Sequence, residues 1–416
     1  MKNIFLIISV IVLFSCNNKT NTIRNTSESH ISTTISNSGF MKQISSDLTK
    51  IDAENCIEID GFELSNRVKD LRYIYLKTEE PVGYVSKAII HKNRIIIADY
   101  MITEKIFIFD MDGNLIKIIS DKGGGPKEYR SLGYMDSHNE EIIVTDGQSL
   151  KRLYYTLNGE YVQHEKCLPC NAFALIGDMF ILHLSYHQSF TYKVTPNLVI
   201  EMKDSAVRRA LPYHNIQKET TPGNFSYNYK GDLLFTPSIS DTVYQILTDS
   251  TFTSKYVVKH KKSVWRKYNE ELGHGEISQL IRDGYSQLRS EFYETEKNVE
   301  FQLVSKMENT NDIIIKPYWF DKSTKQVYGI TPTTINRSEK GLIHPDIIPQ
   351  AIGVWGNYYI GEIRPEQIAP IMEYQKQNKG TKDTLYFKNE ELRKIIQLGE
   401  KDPNQVIVLY ELDFNK

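Results

Sequence analysis

The chain has 416 residues, 40% hydrophobic and 25% charged, with a formal net charge of -2. That length supports two compact domains or one large repeat fold, and the near-zero charge without a long basic tract excludes a nucleic-acid partner. With 26 Tyr against 10 His and 4 Cys, the composition favours strands and ring-lined, wet surfaces over a metal centre, and no cofactor is expected.

The N-terminus opens with one lysine and an apolar run from Ile4 to Phe14, too short to span a bilayer, which reads as a secretory signal over 1–16. Its end, Leu13-Phe14-Ser15-Cys16, resembles a bacterial lipobox, in which Cys16 becomes the lipidated first residue. Residues 17–54 begin with an Asn/Ser/Thr-rich stretch that has little to bury and read as a flexible tether. Asn17-Asn18-Lys19-Thr20 lacks the acidic run that sends some such lipoproteins to the cell surface. The expected location is therefore the cell envelope, as an outer-membrane lipoprotein facing the periplasm, with the lipid as the only membrane contact.

Residues 55–416 carry a repeating strand pattern. RIIIAD, KIFIFD, the turn Asp112-Gly113-Asn114 and LIKII follow one another over 94–119, and EIIVTD to Asn158-Gly159 and YVQH repeats the scheme over 141–164. Weaker copies follow at 180–202, 232–258, 312–330 and 357–368. Once one helical insertion is set aside, the six units are spaced by about 40 to 50 residues, the period of four-stranded propeller blades. VIVLYELDF (406–414) lacks an outer strand, and DLRYIYLKT (70–78) lacks a sheet, so the second is expected to complete the first and close the ring. The reading is an all-β, six-bladed β-propeller closed by an N-terminal strand.

Two stretches show helical spacing, 262–299 with Ile277, Ile281 and Leu288, and 365–404 with Leu392, Ile395 and Ile396. Strand alternation places these insertions on one face, with the other long connections, and that decorated face is where a ligand is expected. Lys122-Gly123-Gly124-Gly125-Pro126-Lys127-Glu128-Tyr129 matches neither a Walker nor a dinucleotide loop and reads as a corner whose glycines reach φ > 0.

On Asp99, the IFIFDMDGN segment and GGGPKEY, the chain resembles the six-bladed β-propeller lipoproteins abundant in gut Gram-negative anaerobes, which are similar in shape to NHL- and TolB-type propellers. The resemblance covers roughly residues 56–414. It implies an association with glycan utilisation and supplies no catalytic motif.

Residues after each second strand should ring the channel mouth: Asp99 and Tyr100, Asp146, Tyr186 and His187, Tyr318 and Trp319 with Asp321, Glu362 and Arg364. Rings stack on apolar sugar faces while carboxylates and guanidinium pair with hydroxyls, although an Asp in such a place also caps its own turn. His183 and His187 lie four apart without an evident third metal ligand. Cys167-Leu168-Pro169-Cys170 lacks the βαβ setting of redox motifs, and one disulfide is expected among Cys56, Cys167 and Cys170. The expected function is a binding or interaction module for a glycan or a protein partner on the long-loop face. The alternative is a carbohydrate-active lyase or hydrolase using His187, Tyr100 or Arg364 with a carboxylate at the channel mouth.

Overall fold

The computed structural model describes residues 41–415 apart from 169, 184–197, 202–206, 211–223, 238, 249–250, 268–273, 308–309, 331–347, 369–389 and 400–403. The signal peptide, Cys16, Tyr186 and His187 lie outside the described residues.

The strands form six sheets. In the first, Lys87–His91, Arg94–Asp99, Lys105–Phe109 and Leu115–Ile119 pair antiparallel in chain order. The second contains Leu132–His138, Glu141–Asp146, Lys151–Thr156 and Tyr161–Lys166, and the third Ala172–Ile176, Met179–His183, Leu198–Glu201 and Val207–Ala210. The fourth contains Asn224–Tyr227, Leu233–Thr236, Thr242–Ile246 and Thr251–Lys259. Ser286–Glu294, Asn298–Lys306, Ile313–Asp321 and Val327–Ile330 make the fifth, and Ala351–Trp355, Tyr358–Ile363, Val406–Leu412 and Val68–Tyr75 the sixth.

The first strand of each sheet packs against the first strand of the next, and Ala351–Trp355 returns to Lys87–His91. The arrangement is a propeller. Its strands read as unbroken apolar runs because both faces of each sheet are covered. In RIIIAD, Ile95 and Ile97 pack toward the sixth sheet while Ile96 and Ala98 pack toward the second, and all four are fully buried. Each fully buried isoleucine contributes roughly 1.5–3 kcal/mol.

Closure follows the expected route. Val406–Leu412 pairs antiparallel with Val68–Tyr75 in a register that sets Val408 opposite Tyr73. Arg67 Nη1 donates to the Phe414 carbonyl at 2.8 Å, and Lys69 pairs with Glu411 at 2.9 Å. The tight turns also form, with Gly113 at φ +76° and Gly159 at φ +82°. A Cβ on Gly113 would lie 2.1 Å from the Tyr75 carbonyl oxygen, so this turn is fitted against the closing strand.

Four expectations change. The tether expected over 17–54 does not reach residue 54: Lys42–Gln43 and Thr49–Asp52 add parallel to Thr251–Lys259, and Ile57–Ile59 adds parallel to Val327–Ile330. These segments cover the outer edges of the fourth and fifth sheets. Helix α1 (Gly61–Asn66) then leads to the closing strand through a capping box in which Asp60 accepts from Glu63 N and Glu63 accepts from Asp60 N.

The helix expected over 262–299 shrinks to α2 (Val264–Lys267) and α3 (His274–Arg282). Ser286–Glu294 is instead the innermost strand of the fifth sheet, with Leu288 and Phe292 in the core facing the fourth. Their spacing of four is even, so it suits a strand as well as a helix. Within 365–404 the described residues form a helical turn over 365–368 and α4 (Glu390–Gly399), with Ile395 buried, and the side chains of Leu392 and Ile396 lie outside the described residues.

The GGGPKEY corner does join the first sheet to the second, but none of its three glycines has positive φ. A Cβ on Gly123 would stand 2.0 Å from a Glu128 carboxylate oxygen, and Gly125 N donates to that oxygen at 2.7 Å, so the corner is folded around the Glu128 carboxylate and not through positive φ. Finally, Cys56, Cys167 and Cys170 are all free thiols rather than one disulfide and a remainder. Burial pushes the Cys56 thiol up to about 11 and that of Cys167 to about 12, which keeps both in the unreactive form.

Candidate functional site

Three of the expected site carboxylates turn inward to their own loops. Asp99 is fully buried and accepts from the N–H of Met101, Ile102, Thr103 and Tyr84 at 2.9–3.1 Å, and from Thr103 Oγ1 at 2.8 Å. Burial alone would raise its pKa, but these donors hold it below the usual carboxylate range. Asp146 does the same for Arg130, Ser131, Gln148 and Ser149, whose N–H groups lie 2.9–3.3 Å away, and its pKa is likewise held down against burial. Both are caps, with no oxygen left for a ligand.

Asp321 accepts from Ser323 N, Ser323 Oγ and Thr324 Oγ1 at 2.8–2.9 Å. It also ends the third strand of its sheet, not the second, and so lies at the opposite end of the propeller from Asp99. The misplacement follows from reading Ser286–Glu294 as part of a helical stretch, so that Ile313–Asp321 is counted one strand too early. Trp319 is 1% exposed and donates through Nε1 to Glu300 Oε2 at 2.9 Å, in the core between the fifth and sixth sheets. Tyr318 lies on the same strand, stacked on Phe301 with centroids 5.4 Å apart.

Tyr100, Glu362 and Arg364 all line an axial cavity of about 1970 Å³. Tyr100 Oη accepts from Met135 N at 2.9 Å. Arg364 Nε donates to Glu362 Oε1 at 3.1 Å, and the guanidinium lies 5.7 Å from the Tyr84 ring centroid. Burial pushes the Glu362 carboxyl up to about 7, against the pull of Arg364.

The other polar groups of the wall come from the innermost strands, which the sequence reading did not single out. Lys87 Nζ donates to Tyr134 Oη at 2.7 Å and lies 3.9 Å from that ring's centroid. Burial lowers the Lys87 pKa, with Asp136 opposing. Asp136 accepts from Ser137 N at 2.8 Å and from Tyr227 Oη at 3.1 Å, and burial raises its pKa against the effect of Lys87. Arg289 and Glu291 form a forked pair, Nε to Oε2 at 2.9 Å and Nη2 to Oε1 at 2.7 Å, beside Tyr293. The available signal was alternation within a strand: Tyr134 and Asp136, or Arg289, Glu291 and Tyr293, recur at every second residue and share one face.

A Ser–His–Asp cluster lies elsewhere, where α2 and α3 leave the fourth sheet. His260 contacts Ser286 Oγ through Nδ1 at 2.6 Å and Asp241 Oδ1 through Nε2 at 2.8 Å, and Ser263 Oγ donates to the same Asp241 oxygen at 2.7 Å. Ser286 is 6% exposed and donates to the Lys261 carbonyl at 2.5 Å, so it is a buried anchor and not a presented nucleophile. His183 is fully buried with its ring 5.3 Å from Phe235, and among the described residues no three His, Cys, Asp or Glu side chains group as a metal site.

The family model described as "Domain of unknown function (DUF4934)" matches residues 48–411. Among solved structures, the chain is similar to an exported protein of Bacteroides fragilis NCTC 9343, with 15% identity, coverage of 88% of this chain and 100% of that one, and a TM-score of 0.67. It is also similar to a member of the DUF4221 family from Bacteroides vulgatus ATCC 8482, with 10% identity, coverage of 83% and 97%, and a TM-score of 0.45. The first likeness is one of fold. No curated protein matches this chain.

Proposed function

The chain belongs to the DUF4934 family, and from that premise we propose that it is a six-bladed propeller, held at the cell envelope by a lipid on Cys16, whose axial cavity binds a polyhydroxylated ligand such as a glycan segment. The observation that carries this reading is the cavity of about 1970 Å³ and the chemistry of its wall. Tyr84, Tyr100, Tyr134, Tyr227 and Tyr293 supply ring surface with a polar tip, suited to the apolar faces of sugars. The Arg289–Glu291 and Arg364–Glu362 pairs set fixed donors beside fixed acceptors, which is what vicinal hydroxyls require.

Titration calorimetry of residues 41–416 against a panel of neutral and acidic oligosaccharides tests the proposal, with Arg289→Ala/Arg364→Ala as the control. Binding by the parent chain that weakens at least tenfold in the double variant, without product release, supports a binding module. Release of reducing ends or unsaturated products supports a lyase or hydrolase, with Glu362 as its acid and Tyr100 on the same cavity wall. A protein partner on the long-loop face would instead bind with these two arginines removed. For location, the proposal is an outer-membrane lipoprotein facing the periplasm, and Cys16→Ser should abolish incorporation of labelled palmitate.

A further inference from the structure

The cavity wall presents three cations, Lys87, Arg289 and Arg364, and four carboxylates, Asp136, Asp232, Glu291 and Glu362. They are not equivalent. Arg289 and Arg364 each have a carboxylate within 3.1 Å, whereas the close partner of Lys87 among the described residues is the neutral hydroxyl of Tyr134. Asp136 acts on Lys87 only through space, since its oxygens are engaged by Ser137 and Tyr227. An ammonium has three donors, so with one bond to Tyr134 Lys87 keeps two beside the cavity.

The carboxylates also neutralise less than their number suggests. Burial raises the pKa of Asp136, and it brings Glu362 to about 7, where half its charge is lost at neutral pH. The same burial lowers the Lys87 pKa, so an anion placed beside it would hold the ammonium charged and meet its two remaining donors.

Resting on the proposal that the cavity binds a glycan-like ligand, we infer that this ligand carries a carboxylate and that Lys87 receives it, so the site selects an acidic sugar over its neutral counterpart. The group is planar and can accept from the ammonium and from the Tyr100 or Tyr134 hydroxyl together. Charge-assisted bonds of this kind are the strong ones, and a neutral hydroxymethyl in the same place forgoes them.

The test compares D-glucuronate with D-glucose and D-galacturonate with D-galactose, each pair differing only at C6, by saturation-transfer NMR and calorimetry at pH 7. The parent chain should bind the uronates at least tenfold more tightly, with affinity falling as salt rises. Lys87→Met should remove that preference, weakening the uronates far more than their neutral counterparts, while Lys87→Arg, which keeps the charge, should retain part of it and serves if the methionine variant does not fold. Equal affinities in the parent chain, or an equal loss for both members of a pair in Lys87→Met, overturns the inference. Binding of a neutral oligosaccharide without any uronate binding overturns it while leaving the glycan reading intact, whereas a panel in which nothing binds defeats both.

Discussion

Replacing Glu300 by glutamine isolates one buried carboxyl and its proton. Glu300 is 1% exposed on the second strand of the fifth sheet. It accepts from Ala351 N at 2.7 Å, Tyr410 Oη at 2.7 Å and Trp319 Nε1 at 2.9 Å, and so ties the fifth sheet to the sixth. Burial pushes it from 4.5 up to about 7, against the pull of those three donors. Between these two values the native state holds a proton that the unfolded chain has released, so this group's contribution to stability falls as pH rises through the window and is constant above it. A shift from 4.5 to about 7 corresponds to about 3 kcal/mol. Glutamine does not titrate. Its amide must face a donor, a cost that is independent of pH, and every other titrating group is common to both chains. Urea denaturation followed by tryptophan fluorescence from pH 4.5 to 8 should therefore show the wild-type advantage over Glu300→Gln shrinking by about 3 kcal/mol up to pH 7 and then levelling off. A difference that is flat, or that grows with pH, would show that the three donors outweigh burial and would refute the reasoning.

Gly113→Ala should destabilise the chain by about 2 kcal/mol or more in the same assay, because alanine is strained at φ +76° and its Cβ collides with the Tyr75 carbonyl; a change within 0.5 kcal/mol, about the size expected at an indifferent surface site, would contradict that packing. Tyr73→Cys/Val408→Cys, placed at paired positions of the closing strand, should form a disulfide on mild oxidation and raise the denaturation midpoint, checked on a non-reducing gel and by thermal melting. Asp241→Ala leaves buried His260 and Ser263 without their acceptor and should cost about 2–4 kcal/mol, with early proteolysis near α2 and α3 as the local readout.

What the sequence reveals and conceals follows from local geometry. The closing strand was legible because Val406–Leu412 lacked an outer partner and Val68–Tyr75 lacked a sheet, so each deficiency pointed to the other. The Asp-Gly and Asn-Gly turns were legible because only glycine sits easily at their φ. Asp99 and Asp146 were ambiguous in principle, since an aspartate after a strand has the same composition whether it caps a turn or faces a ligand, and the nearby N–H groups decide. The innermost strand of the fifth sheet was hidden by an even spacing that also fits a helix, which in turn moved Trp319 and Asp321 to the wrong strand. Lys87, Asp136 and Arg289 were hidden for a related reason: polar residues alternating on an innermost strand look like a solvated face until the ring that encloses them is known.

Hydrogen–deuterium exchange of residues 41–416, with and without the tightest-binding member of the oligosaccharide panel, reports directly whether the axis is the binding site. Protection should concentrate on Lys87–His91, Leu132–His138 and Ser286–Glu294, the strands that carry Lys87, Tyr134, Asp136, Arg289 and Glu291. Protection confined to the outer strands Leu115–Ile119 and Tyr161–Lys166, or to α2 and α3, would place the ligand elsewhere and contradict axial binding.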